Sequence, residues 1–201
     1  MALLLLSLML LSFATVAYKA GNNPAFKQRL LAHITGIEKL PSDRVVFQHT
    51  RVDCGPAALK MVLDFYSIPV TLAQLDADLG PGSQGTSMLG MKKVAIQYGL
   101  QATGWTLSLT DLDRIPLPAI AVVNGNHYAV VERKQPDGVI LADPARGRLR
   151  VSNWRFRLQW KGETLVLWKN SLPDKLRWVE ESAAKSADGF VAEYSRALTV
   201  R

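Results

Sequence analysis

Residues 2–17, ALLLLSLMLLSFATVA, form a nearly unbroken apolar run with no polar face. The run is long enough for a signal-peptide core or a short membrane anchor. Thr15 and Ala17 are small residues two apart and suit a cleavage site after Ala17. Residues 21–44 are polar and mixed, without a period, and read as a linker or arm. From Val45 to about Lys169 the apolar pattern is dense and continuous. From Asn170 to Arg201 the chain is charged and rich in Ala and Ser, which predicts one or two peripheral helices. The expected organisation is therefore a signal or anchor at 1–20, an arm at 21–44, one domain at 45–169 and a polar extension at 170–201.

Within the domain the first half has helical spacing. Ala57, Ala58, Met61, Val62 and Phe65 make one apolar stripe, with Asp53 as N-cap and Pro56 tolerated in the first turn. Ser67-Ile68-Pro69 ends that helix. Thr71 and Gln74 predict a capping box for a short helix to Leu79, broken at Gly80-Pro81-Gly82. A third helix is expected from about Ser87 to Tyr98, stopping at Gly99. The second half has strand character. Ala119–Val123 is a β-type run, Asn124-Gly125 a hairpin signal, and His127–Arg133 the returning strand. Val139–Ala142, Arg148–Ser152 and Thr164–Trp168 are further predicted strands. Helices first and strands second predict an α+β fold.

Composition narrows the chemistry. The chain has 201 residues with 48% hydrophobic and 20% charged positions, ordinary for a packed domain. One cysteine excludes an internal disulfide and a multi-cysteine metal site. Three histidines, His33, His49 and His127, argue against a histidine-rich metal site. The 24 Lys+Arg exceed the 17 Asp+Glu by +7. No dense basic run interleaved with aromatics accompanies this charge, so nucleic acid is not an expected partner. If the apolar run stayed in a membrane, Lys19, Lys27, Arg29 and Lys39 after it would favour a cytoplasmic C-terminal part. The reading adopted is export, either cleaved or tethered through residues 2–17, giving a periplasmic or exported protein.

Four residues carry candidate chemistry. Cys54 stands at a predicted helix N-terminus, where an anion is stabilised and a thiol pKa falls toward the reactive range. Gly55 beside it permits close approach. A cysteine nucleophile needs a base that can become a cation, and His127 opens a strand just after a turn. His49 is the rival base, close in sequence to the cysteine. Asp143 ends a strand, where an acid can hold an imidazole in one tautomer. Gln48 and the Cys54 backbone N–H can donate to a developing oxyanion.

These residues belong to a larger pattern. Gln48-x5-Cys54-Gly55-Pro56-Ala57-Ala58-Leu59, Gly85-Thr86-Ser87-Met88-Leu89-Gly90, Leu117-Pro118-Ala119-Ile120-Ala121, Asn124–Val131 and Asp143-Pro144-Ala145-Arg146-Gly147 occur in this order. The set resembles the C39 family of papain-like cysteine peptidases, which cut bacteriocin-type leaders after a double glycine. The resemblance covers roughly residues 45–169. It implies Cys54 as nucleophile, His127 as general base and acid, Asp143 as orienter of His127 and Gln48 as oxyanion donor, without metal or organic cofactor. It implies a peptide substrate with a Gly-Gly-like cleavage site and a link to secretion-system proteins or extracellular assembly. No G-x-x-x-x-G-K-[ST] motif is present, so ATP-driven transport is unsupported. Two alternatives use the same domain: a papain-like hydrolase of cell wall, and a non-enzymatic peptide-docking module.

Overall fold

The computed structural model describes residues 21–80 and 85–170, together with Met9, Thr15 and Tyr18. The expected cleavage site after Ala17, the break at Pro81-Gly82 and the extension beyond Asn170 lie outside the described residues.

The segment read as an arm is structured. Helix α1 (Pro24–Thr35) starts at Asn23, whose side chain accepts from the N–H of Ala25 and Phe26, and stops at Gly36 in the left-handed region. Strand β1 (Ile37–Lys39) then pairs antiparallel with a later strand. The Asn-Pro start and Gly stop were visible signals. The helical spacing of Phe26, Leu30, Leu31 and Ile34 was there too, but Lys27, Gln28, Arg29 and His33 among them made the segment read as mixed, and the helix fully buries none of its residues.

Helix α2 (Cys54–Phe65) buries Cys54, Ala57, Ala58, Met61 and Val62, as the stripe predicts. Phe65 departs from it and is 62% exposed. The helix ends there, and Tyr66 turns inward instead, its hydroxyl donating to the Leu167 carbonyl at 3.1 Å. Asp53 occupies the N-cap position but makes no side-chain bond to the helix. Helix α3 (Leu72–Leu79) has the predicted capping box between Thr71 and Gln74. Helix α4 (Met88–Gln97) begins at Ser87, whose hydroxyl accepts from Gly90 N–H, and ends before Gly99, where φ is 85°.

Six further strands follow: β2 (Gln101–Thr106), β3 (Ala119–Val123), β4 (His127–Lys134), β5 (Gly138–Asp143), β6 (Gly147–Ser152) and β7 (Trp160–Trp168). A 3-10 turn lies at Asp111–Asp113, and helix α5 (Asn153–Gln159) links β6 to β7. Among the described residues the sheet has seven strands in the order β1-β6-β5-β4-β3-β7-β2, paired antiparallel. The α+β expectation is met. Strands β1 and β2 and helix α5 were not predicted. β2 contains Gly104, and its inward and outward positions alternate weakly.

The sheet is covered on both faces. Ala119, Ala121 and Val123 of β3 join a core with Phe156, Trp160, Leu107 and Ile115. Ile120, on the opposite face, packs with Leu59, Val62, Val94 and Leu165 beneath α2 and α4. Burial on both faces explains why β5 is apolar until Asp143. Among the described residues no helix is long and apolar enough to cross a membrane.

Gly162 in β7 has φ 109°, and a Cβ there would lie 2.6 Å from the Leu107 carbonyl oxygen. Gly162→Ala is expected to destabilise the fold by roughly 1–3 kcal/mol from the backbone conformation alone, plus that clash. Urea denaturation against wild type measures the loss.

Candidate active site

Antiparallel pairing makes the site. β4 begins at His127 and β5 ends at Asp143, so the two side chains share one end of the sheet. His127 Nε2 and Asp143 Oδ1 are 2.8 Å apart. Asp143 is only 2% exposed, and its Oδ1 also accepts the Ala145 N–H at 2.8 Å. With Nε2 engaged, Nδ1 is the ring nitrogen left to face Cys54, and thiol and imidazole are close enough to shift each other's titration. Cys54 is the first residue of α2 and is 6% exposed.

The charges follow from this geometry. Burial pushes the Cys54 thiol up. The His127 hydrogen bond and charge, with the N–H groups of Tyr128 and Gly55, outweigh burial and hold it below its ordinary value. Burial pulls His127 down, but the hydrogen bonds to Asp143 and Cys54 and their negative charges raise it from 6.5 to about 9. Burial raises Asp143, while bonding to His127, the His127 charge, the Ala145 N–H and the Arg146 charge hold it below the usual carboxylate range. The arrangement favours a thiolate–imidazolium pair backed by a carboxylate.

The loop before Cys54 is tied from both ends. The Asp53 carboxylate accepts the N–H of His49 at 2.9 Å and of Thr50 at 3.0 Å. It thus organises the approach to Cys54 rather than capping α2. The Gln48 N–H donates to the Pro144 carbonyl at 3.0 Å, joining this loop to the one after Asp143. One Gln48 Nε2 hydrogen goes to the Thr50 carbonyl. Its Oε1 is buried without a hydrogen-bond partner. His49, the rival base, has a side chain 76% exposed and lies 3.9 Å from Asp53. The structure therefore brings Cys54, His127 and Asp143 together, links Gln48 to them through backbone, and leaves His49 in solvent.

A second loop presses on the residues flanking Cys54. A Cβ on Gly55 would meet Thr86 Cβ at 3.0 Å, and one on Gly85 would meet the Val52 carbonyl at 3.3 Å. This is the close approach expected at Gly55, though the neighbour is a side chain. Sequence reading missed Asp53 as the loop tie and the Tyr128 N–H as a donor to the sulfur. The first runs backwards along the chain, from Asp53 to N–H groups three and four residues earlier, so the forward Asx-turn pattern did not signal it. Nothing local signalled the second, because it depends on β4 lying beside α2. Among the described residues no group of three or more His, Cys, Asp or Glu side chains could hold a metal ion.

A buried Cys–His–Asp constellation on a helix-plus-antiparallel-sheet fold defines a papain-like cysteine peptidase. The chain belongs to the peptidase C39 family, whose model matches residues 42–172. It is 31% identical over 128 residues to the lactococcin-G-processing and transport ATP-binding protein LagD of Lactococcus lactis, covering 61% of this chain and 18% of that protein. It therefore spans under a fifth of that relative. It is also 31% identical over 181 residues to the "Probable functional amyloid protease FapD" of Pseudomonas aeruginosa, covering 81% of this chain and 77% of that protein. Among solved structures it resembles a double glycine motif protease from an AMS/PCAT transporter in complex with the leader peptide. That match has a TM-score of 0.61 and 30% identity, covering 66% of this chain and 93% of the other.

Two outcomes follow from the charges. The rate of iodoacetamide labelling of Cys54, the sole cysteine, should rise with an apparent pKa below 9.0. His127→Ala should return it upward, which a pH–rate series reads directly. The second outcome concerns stability. His127 is raised, so its contribution is complete below 6.5 and is lost as pH rises through about 9. Cys54 is lowered, so its contribution is complete above 9.0 and is lost as pH falls through its folded value. Folding thus shifts protons from sulfur toward imidazole, so the two pH dependences oppose each other in the wild type. Cys54→Ala removes the opposing half and part of what raises His127; with Asp143 still raising the imidazole, its stability should fall as pH rises above 6.5, checked by urea melts.

Proposed function

We propose that the protein is an endopeptidase that cuts leader or substrate peptides after Gly-Gly, in connection with secretion or extracellular assembly. The observation that carries this is the contact of Cys54 with a His127 held by Asp143. Cys54 attacks the carbonyl carbon of the residue before the cut. The Cys54 N–H and the second Nε2 hydrogen of Gln48 donate to the oxyanion. His127 protonates the leaving amine, and water releases the acyl-enzyme with His127 as base.

The rest of the substrate has a place to dock. A cavity of about 550 Å³ lies beside the C-terminal half of α2, with Met61, Phe65, Val130 and Ile140 as apolar lining and Arg133 and Arg148 among its charges. It sits roughly 15 Å along α2 from Cys54. An apolar, partly acidic segment fits this lining. The match to FapD over most of its length supports a role in extracellular assembly more than in a transporter. An exported or periplasmic location, with residues 2–17 as signal or tether, agrees with that role.

The test is cleavage of a peptide carrying Gly-Gly, with mass spectrometry of the products. Wild type should cut after the second glycine, and Cys54→Ala should not cut. Gln48→Ala should lower kcat by about 10²–10³ with little change in KM, the effect of losing one oxyanion donor. Cleavage of purified cell wall with no cut in the Gly-Gly peptide would overturn this reading.

A further inference from the structure

Helix α1 turns the wrong side to the protein. Its large apolar residues all face outward: Phe26 is 47% exposed, Leu30 47%, Leu31 60% and Ile34 64%. The one half-buried position is Ala32. At 3.6 residues per turn Ala32 stands about 200° round the helix from Leu30. The body therefore receives a small side chain, and the apolar arc points away from it. Folding alone gives no reason to keep four large apolar residues there.

The neighbourhood extends the same surface. The α1 terminus is bound to the end of β6, where Ser152 N–H donates to the Gly36 carbonyl at 2.8 Å. Gly36 packs against Trp154 and Arg155 of α5. On α5, Trp154 is 50% exposed and Leu158 60% exposed. Lys27 and Arg29 lie on α1, and Arg155 and Arg157 on α5. The chain has no Asp or Glu before Glu38. An apolar strip with aromatic residues, basic side chains on both helices and acids only at its Glu38 and Asp137 margin fits the interface of an anionic bilayer.

We propose that α1, with Trp154 and Leu158 beside it, lies in the surface of an anionic lipid bilayer. The inference rests on the reading of residues 2–17 as membrane-seated, because that run ends only seven residues before Pro24. A protein partner would not need this continuity or a stretch free of acids. The placement has a consequence for catalysis. α1 meets the sheet at the Ser152 end of β6, whereas Gly147, at the other end, pairs with Asp143. Five residue steps at about 3.3 Å put the site roughly 17 Å along the sheet from the lipid contact. The site thus faces the aqueous side, away from the bilayer that holds the enzyme.

The test uses the full chain with Cys54→Ser and one new cysteine carrying an environment-sensitive fluorophore. The positions are Ile34→Cys on α1, Ser7→Cys in the apolar run and Lys93→Cys on α4. Each protein is reconstituted into phosphatidylethanolamine–phosphatidylglycerol vesicles with and without brominated lipid. Ile34 is exposed, so its replacement leaves the core intact. The expected result is a blue shift and quenching by brominated lipid at positions 34 and 7, and neither at 93. Quenching at 7 with an aqueous signal at 34 overturns the proposal and leaves residues 2–17 in the membrane. Quenching at neither position overturns both. A position 34 shielded from an aqueous quencher but untouched by brominated lipid means that protein covers the strip, and also overturns the proposal.

Discussion

The 2.8 Å hydrogen bond between His127 and Asp143 is the constraint on which the site depends. Asp143 is almost fully buried, and a buried carboxylate without partners is costly. Its partners are the imidazole, the Ala145 N–H and the charge of Arg146. Held this way, the carboxylate fixes which ring nitrogen faces the thiol and favours the imidazolium. The lowered thiol of Cys54 follows from that cation and from two backbone N–H groups. Remove the carboxylate, and the burial that pulls His127 down would be opposed only by Cys54.

That bond in turn depends on strand register. β4 and β5 pair Val130 with Ala142 and Val131 with Leu141. Both faces of the sheet are packed, so a one-residue slip would send every side chain of the strand to the wrong core. The two cores therefore fix the His127–Asp143 distance. α2 is fixed by the same packing, since Ala58, Leu59 and Val62 are fully buried against the sheet. Cys54 thus stands at the end of a rigid helix and His127 at the end of a rigid strand. Only the Gln48–Asp53 loop spans between them, and Asp53 and the Pro144 carbonyl pin it.

The family members this chain matches place the same domain in different settings. The LagD match takes up 18% of a transport ATP-binding protein, whereas the FapD match takes up 77% of a protein named as a protease. A catalytic unit of this kind carries its chemistry within one domain. In this chain the surroundings include α1 and β1, which extend the sheet at its edge.

Much was legible from local sequence. The α2 stripe, the Thr71–Gln74 box, the Ser87 cap and the Asn124-Gly125 turn are written in neighbouring residues, because caps, turns and periodicity act over one or two turns of chain. The motif order Cys54, His127, Asp143 was legible for the same reason, each residue marking the end of an element. Tertiary structure alone decided the rest. β1 and β2 became strands by pairing with β6 and β7, and their own patterns are too weak to require it. Asp53 turned back to the loop because His49 and Thr50 offered N–H groups that helix geometry could not outbid. The meeting of Cys54 with His127, 73 positions apart in the chain, depends on how α2 packs on the sheet. No local signal encodes that, since burial on two faces at once is a property of the assembled layers.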